Sequence, residues 1–162
     1  MQLNDLITRD EAYSGRIVAW ANGRFLHTLA WVIARTGDSL FWLIIIGILL
    51  WQKQPLGWDL LLIVAVAAGV TAVAKGIFKR KRPSEKWALS TDKYAFPSGH
   101  AARAGAVATA LAFAFPAWGW VSLLWAVLVG LARVALARHF LSDVTVGLLL
   151  GIVIGLILQI WI

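Results

Sequence analysis

Apolar residues run through this chain in long uninterrupted stretches, and the polar ones gather in the gaps between them. Residues 104 to 132 hold no Asp, Glu, Lys, Arg or His over 29 positions, and 144 to 162 hold none over 19. A bilayer-crossing helix needs about 20 mostly apolar residues, so both runs predict membrane helices. The shorter uncharged runs, 39 to 52 and 60 to 74, reach that length with their polar flanks. Nearer the start, Leu3, Leu6, Ile7, Tyr13, Ile17 and Trp20 recur at helical spacing among Asp5, Arg9, Asp10 and Arg16, which predicts an amphipathic interfacial helix over 3–20. Phe25 to Ala34, bounded by Arg24 and Arg35, predicts a short or tilted membrane helix. Further helices are expected near 39–52, 57–76, 99–115, 118–137 and 142–161, with breaks at Gln52–Gly57, 77–97, Pro116 and His139–Ser142. Pro83 and Pro97 disfavour helix in the residue before each, and Pro97-Ser98-Gly99 reads as a turn feeding a helix start.

Composition fixes the class. With 60% hydrophobic residues, 14% charged residues and ten tryptophans, a soluble domain is excluded and an all-α, polytopic membrane bundle of about six helices is expected. Trp51, Trp58, Trp87, Trp118 and Trp120 fall near the expected helix ends, where an aromatic belt places them. No compact apolar run follows a basic start, so no cleavable signal is expected. The absence of cysteine excludes a disulfide framework and thiol catalysis. There is no internal repeat and no low-complexity tract, and a single domain over 1–162 is expected.

Net charge is +7, and residues 75 to 93 carry seven cations against Glu85 and Asp92, a surplus of five. Such a cluster suits anionic headgroups or the positive-inside bias. Nucleic acid is set aside as a partner, because the cluster is tied to membrane helices at both ends and has little aromatic interleaving. Gly147, Gly151 and Gly155 form a small-residue stripe, and the helix after His100 is rich in alanine. Close helix packing inside one subunit is expected of them ahead of a homodimer seam, which leaves monomer and homodimer both open.

Counting crossings brings the polar motifs together. If the helix starting near 57 runs toward one face, Lys75 and the basic loop lie there, the next helix leaves from Pro97–His100 at that face, and its successor returns Arg133, Arg138 and His139 to it. The expected inventory at that face is three cations (Lys75, Arg82, Arg133), two imidazoles (His100, His139) and the carboxylate of Asp143. Phosphate-ester cleavage needs cations for the anionic oxygens, a nucleophile and an acid for the leaving oxygen. Ser98 and Gly99 precede a helix, so their N–H groups could point at an anion with the helix dipole behind them. His139 and Asp143 are four apart; a carboxylate on one ring nitrogen would fix the tautomer and free the other to attack phosphorus. His100 is then the second imidazole, able to protonate the leaving oxygen and activate water. Clustered carboxylates for a two-metal mechanism are missing from the pattern, so no cofactor and no metal are expected. Lys79, Arg80, Lys81 and Lys86 read as a solvated basic face, Arg138 as an anchor or a substrate contact, His27 as an interfacial histidine, and Asp143 also fits a helix cap.

Lys75-x6-Arg82-Pro83, Pro97-Ser98-Gly99-His100 and Arg133-x5-His139-x3-Asp143 together resemble the three motifs of the type 2 phosphatidic acid phosphatase superfamily. The resemblance runs from Lys75 to Asp143. It implies a phosphatidic acid phosphatase/haloperoxidase-like bundle with a metal-independent site near one membrane face. In it Lys75, Arg82, Ser98, Gly99 and Arg133 bind phosphate, His100 is the general acid, His139 the nucleophile and Asp143 its partner. The third motif's serine is Ala132 here; a charge-assisted hydrogen bond lost there would be worth about 1.5 to 3 kcal/mol. The function expected is lipid phosphate hydrolysis (undecaprenyl diphosphate, phosphatidic acid or phosphatidylglycerol phosphate), in a bacterial-type cytoplasmic membrane with the site on the extracytoplasmic face. A phosphotransferase on the same site and a non-catalytic anionic-lipid binder are the alternatives.

Overall fold

The computed structural model describes residues 3–84 and 92–162, which form seven α-helices. They are α1 (Leu3–Trp20), α2 (Arg24–Thr36), α3 (Ser39–Trp51), α4 (Leu56–Phe78), α5 (Gly99–Ala114), α6 (Gly119–Ala135) and α7 (Leu141–Leu158). A 3-10 turn, Pro116–Trp118, joins α5 to α6 with proline at its first position, where a missing N–H costs nothing. Leu56–Phe78, Pro116–Ala135 and Leu141–Leu158 are each long and apolar enough to cross a membrane; α2 and α3, bent by 46° at their junction, make up a fourth candidate. Side chains such as Leu62, Val73, Leu124, Leu149 and Val153 point outward, as a hydrocarbon solvent requires. Trp51, Trp58, Trp118 and Trp120 stand exposed near helix ends. Glu85, Lys86 and Trp87 lie outside the described residues.

α5 is the centre of the bundle. Its 16 residues span about 24 Å, short of a bilayer's hydrocarbon core of about 30 Å, yet Ala101, Ala102, Ala104, Ala106 and Ala108 are all fully buried. The cause is the glycine stripe of α7. A Cβ on Gly147 would meet the Ser98 carbonyl oxygen at 2.6 Å, one on Gly151 the Ala102 carbonyl oxygen at 2.0 Å, and one on Gly155 the Thr109 Cβ at 2.7 Å. The small residues therefore serve packing within the subunit, backbone against backbone, as van der Waals association in lipid favours. That seam ends in a hydrogen bond from Ser98 N to Asp143 O at 2.9 Å, which ties the start of α5 to the start of α7.

α1 is amphipathic, as expected. Leu6, Ile7, Tyr13 and Trp20 are exposed, while Ser14 and Ala21 are buried and Asp10 and Ile17 half-buried. The helix turns Asp10 and Ser14 toward the bundle beside Ile17 and Ala21, and leaves Leu6, Ile7, Tyr13 and Trp20 outward; the start of α7 has N–H groups for the two polar side chains to satisfy. Leu141 N donates to Ser14 Oγ (2.9 Å) and Ser142 N to Asp10 Oδ1 (3.0 Å). Helix N-termini carry unpaired N–H groups, and α1 supplies acceptors for two of those of α7.

Candidate active site

The three motifs meet at one end of the bundle. Lys75 sits in the last turn of α4, whose C-cap, Lys79, is left-handed (φ 47°) and turns the chain into an extended segment. Along that segment Lys79 and Lys81 are exposed whereas Arg82 is buried and Arg80 half-buried, the alternation of an extended backbone. α5 begins beside Lys75: a Cβ on Gly99 would lie 3.3 Å from Arg103 Nη1, 3.6 Å from Thr71 Oγ1 and 3.9 Å from Lys75 Nζ. α6 delivers Arg133 in its last turn, and the connection to α7 delivers Arg138 and His139. Arg82 Nη1 donates to the Arg138 carbonyl (3.2 Å), joining the first motif to the third. Arg133 is buried, and its charge acts on both His100 and His139.

His139 is 1% exposed and Asp143 is fully buried. Their facing atoms, Nδ1 and Oδ2, are 3.7 Å apart, an electrostatic contact longer than a hydrogen bond. Burial, followed by the charges of Arg133 and Arg82, outweighs the pull of Asp143 and lowers the imidazole to about 4. The ring is therefore neutral at pH 7, the state a nucleophile needs. Asp143 also caps α7, accepting from Phe140 N at 2.8 Å, so the capping role and the histidine partnership coexist.

Arg80 departs from the expectation of a solvated face. Its Nη1 donates to Asp143 Oδ1 (2.8 Å) and Ser142 Oγ (2.7 Å), its Nη2 to Asp10 Oδ2 (2.8 Å), and its guanidinium lies 4.3 Å from the centre of the Phe140 ring. Ser98 also plays another part than anion binding by its N–H: that group is committed to Asp143 O, and its Oγ accepts from Ala101 N at 3.5 Å as the cap of α5. Ala132 packs its methyl against Ala30 and Ala34 of α2.

Two acids from elsewhere complete the site. Asp38, at the α2–α3 junction, meets His100 Nε2 at 2.5 Å and Arg35 Nη1 at 3.1 Å. Asp92 pairs with Lys75 and with Arg82 Nη2 (2.6 Å). Burial opposes the charge of Asp92, but Lys75 and then Arg82 outweigh it and hold the carboxyl at about 2. Asp38, distant in sequence, thus joins Asp143 as an acid facing a histidine. Arg103 was also absent from the sequence-derived set, although it is the one Lys, Arg, Asp or Glu in α5 and follows His100 by three residues. Its side chain, with that of His100, lines both a cleft of about 350 Å³ shared with Lys75, Gly99 and Asp92, and a neighbouring one of about 490 Å³ that runs past Asp38 to Leu40, Phe41 and Ile44.

The buried nitrogens Arg133 Nε, Arg103 Nε and both ring nitrogens of His139 have no hydrogen-bond partner among the described residues. Unpaired buried polar atoms are costly, of order 1–3 kcal/mol each. Arg103 stands with Lys75 and His100 around the smaller cleft, while the charge of Arg133 reaches both histidines, so the cations of this end of the bundle suit a multiply charged oxyanion.

The fold is that of PAP2 membrane phosphatases of known structure. The structure resembles the transmembrane PAP2 type phosphatidylglycerolphosphate phosphatase of Bacillus subtilis with a TM-score of 0.82 at 27% identity, covering 99% of this chain and 87% of that one. It resembles Aquifex aeolicus LpxE in fold with a TM-score of 0.76 at 24% identity, covering 91% of this chain and 93% of that one. An undecaprenyl-diphosphatase of Sulfolobus acidocaldarius is 30% identical over 78% of this chain; the match spans 66% of that relative, just under two thirds of its length. Residues 56–162 match the PAP2 superfamily, and the chain belongs to it as a multi-pass membrane protein.

Proposed function

We propose that the protein hydrolyses the phosphate monoester or diphosphate of a membrane lipid through a phosphohistidine on His139. The observation that carries this reading is the buried imidazole of His139, which has no hydrogen-bond partner among the described residues, faces the Asp143 carboxylate at 3.7 Å and feels the charge of Arg133. Asp143 faces Nδ1, which assigns the ring proton there and leaves Nε2 with its lone pair for phosphorus. Arg133, Arg82 and Lys75 hold the phosphoryl oxygens; the latter two exchange Asp92 for the substrate. Gly99 leaves room for the phosphoryl group among these cations, and Ser98 holds the start of α5 in register.

As Nε2 bonds to phosphorus, the bond from phosphorus to the leaving oxygen breaks, and His100 delivers its proton to that oxygen. Water then attacks the phosphohistidine, giving a proton to His100 and releasing phosphate and neutral His139. Asp38 holds the His100 ring at Nε2 for both steps. The carboxylates at the site each face a cation or an imidazole, which supports a reaction run on side chains and needing no metal.

Among substrates we favour undecaprenyl diphosphate, since the chain is compact and a similar Sulfolobus protein bears that activity in its name; phosphatidylglycerol phosphate and phosphatidic acid are the other members of the class. The whole chain, α1 included, acts as one catalytic unit, in a bacterial-type cytoplasmic membrane with the site on the extracytoplasmic face. Phosphate release by purified protein across a panel of these lipids, with and without EDTA, tests the reading. Release that survives EDTA and disappears in His139→Ala is expected; loss on chelation, or full activity in His139→Ala, contradicts it. Labelling a single Lys81→Cys with an impermeant maleimide, against a chain that has no other cysteine, reads the sidedness.

A further inference from the structure

We infer that Arg80 and Asp10 are positioning residues for the nucleophile, so that the interfacial helix α1 is a working part of the active site. The inference rests on His139 being the nucleophile, as proposed above. Asp143 is fully buried, and a carboxylate taken out of water needs a paired cation and hydrogen bonds to stay charged. Arg80 Nη1 supplies them to Oδ1 at 2.8 Å, while Phe140 N occupies Oδ2 at 2.8 Å, on the side that faces His139. The guanidinium is itself held: Asp10 Oδ2 takes Nη2 at 2.8 Å, Ser142 Oγ takes Nη1 at 2.7 Å, and the Phe140 ring covers its face.

Its backbone is fixed as well, since Ala95 N donates to Arg80 O at 2.8 Å. Asp10 closes the ring by accepting from both Ser142 N (3.0 Å) and Ser142 Oγ (2.5 Å), one residue before Asp143. A carboxylate on α1, a cation on the segment after α4 and a carboxylate on α7 thus form a chain ending at His139 Nδ1. Arg80 donates to two carboxylates and two nearby polar groups hold Asp10 in place, a fork-like use that a lysine ammonium reproduces only in part. The arrangement sets the tautomer and aim of the imidazole and leaves the phosphate oxygens to Arg133, Arg82 and Lys75.

The test compares wild type with Arg80→Met, Arg80→Lys and Asp10→Asn, alone and in an Asp143→Asn background, using the full-length protein in detergent. The chain has three histidines, so the ring nitrogens of His139 can be followed in ¹⁵N-histidine spectra without any substrate. Arg80→Met is expected to shift the His139 tautomer signals, to lower kcat at least tenfold with KM within twofold, and to add less than threefold in the Asp143→Asn background. Arg80→Lys should recover part of kcat. Asp10→Asn, nearly isosteric, should lower kcat by a smaller factor and covers the case in which Arg80→Met does not fold. The proposal is overturned by an unchanged His139 spectrum in the variants. It is equally overturned by losses that multiply with Asp143→Asn, or by a raised KM with weaker inhibition by inorganic phosphate at intact kcat, which would make Arg80 a phosphate ligand. If wild type releases no phosphate from any lipid, the functional reading fails, and the spectra alone still decide whether the chain from Asp10 to His139 exists.

Discussion

Gly151→Ala places a methyl where the structure has no room for one. The new Cβ would lie 2.0 Å from the Ala102 carbonyl oxygen, 2.8 Å from its carbon and 2.9 Å from Ala106 N. All three are backbone atoms, so no side chain can swing aside, and α5 and α7 must part locally by at least about 1 Å to restore ordinary contact. Overpacking of this kind costs roughly 1–3 kcal/mol, and the backbone-on-backbone contact puts it at the upper end. The consequence for chemistry is larger. Gly151 lies about 12 Å along α7 from Asp143, on the seam that ends in the Ser98 N to Asp143 O bond at 2.9 Å. A displacement of about 1 Å at reacting groups can cost about 100-fold in rate. Gly151→Ala is therefore expected to enter the membrane, melt at lower temperature in detergent and lose about two orders of magnitude in kcat/KM for lipid phosphate release. Gly47→Ala and Gly69→Ala, whose new methyls meet nothing within 4 Å, are the controls and should match wild type. Wild-type turnover and melting in Gly151→Ala would refute the packing argument.

Acid should destabilise the protein in a window set by His139. The folded pKa of about 4 lies below the free value of 6.5, so the unfolded chain binds a proton that the folded one refuses, and stability falls as pH drops from 6.5 toward 4. The loss is of order 3 kcal/mol; melting in detergent from pH 7.5 to 4.5 should show it, His139→Asn should reduce it, and a flat wild-type curve would contradict it. Asp92 acts lower: its stabilising charge is complete above 3.8 and disappears as pH falls through about 2. Removing that charge with Asp92→Asn frees Lys75 and Arg82 for phosphate, so inhibition of lipid phosphate release by inorganic phosphate should tighten several-fold; unchanged or weaker inhibition would count against the exchange.

The sequence made the helical frame legible because lipid demands long uncharged runs, and proline or glycine punctuates their ends. α4 to α7 fall within a few residues of the expected bounds. Motif convergence was also legible, since two successive crossings from a known end return the chain to it. The glycine stripe was ambiguous by itself, because close packing against α5 and against another copy require the same small residues. The acids were not legible. Asp38 and Asp10 reach partners 62 and 70 residues away, His100 and Arg80, and no local periodicity reports such pairings. Arg80 was hidden between Lys79 and Lys81, with which it reads as a solvated face. The inward aim of alternate members shows only once the run is known to be extended past the left-handed Lys79. α1 was legible as an amphipathic helix, but the bonds of Asp10 and Ser14 to the start of α7 were not, since they span more than 120 residues.

Trapping the phosphoenzyme tests the central claim most directly. Protein mixed with lipid substrate labelled at the transferred phosphate, then quenched in alkali and digested, should carry acid-labile, alkali-stable label on the peptide containing His139. The label should accumulate in His100→Ala, where water attack is slowed, and be absent in His139→Ala. Phosphate released by wild type with no label at His139, or with label on another residue, would contradict it.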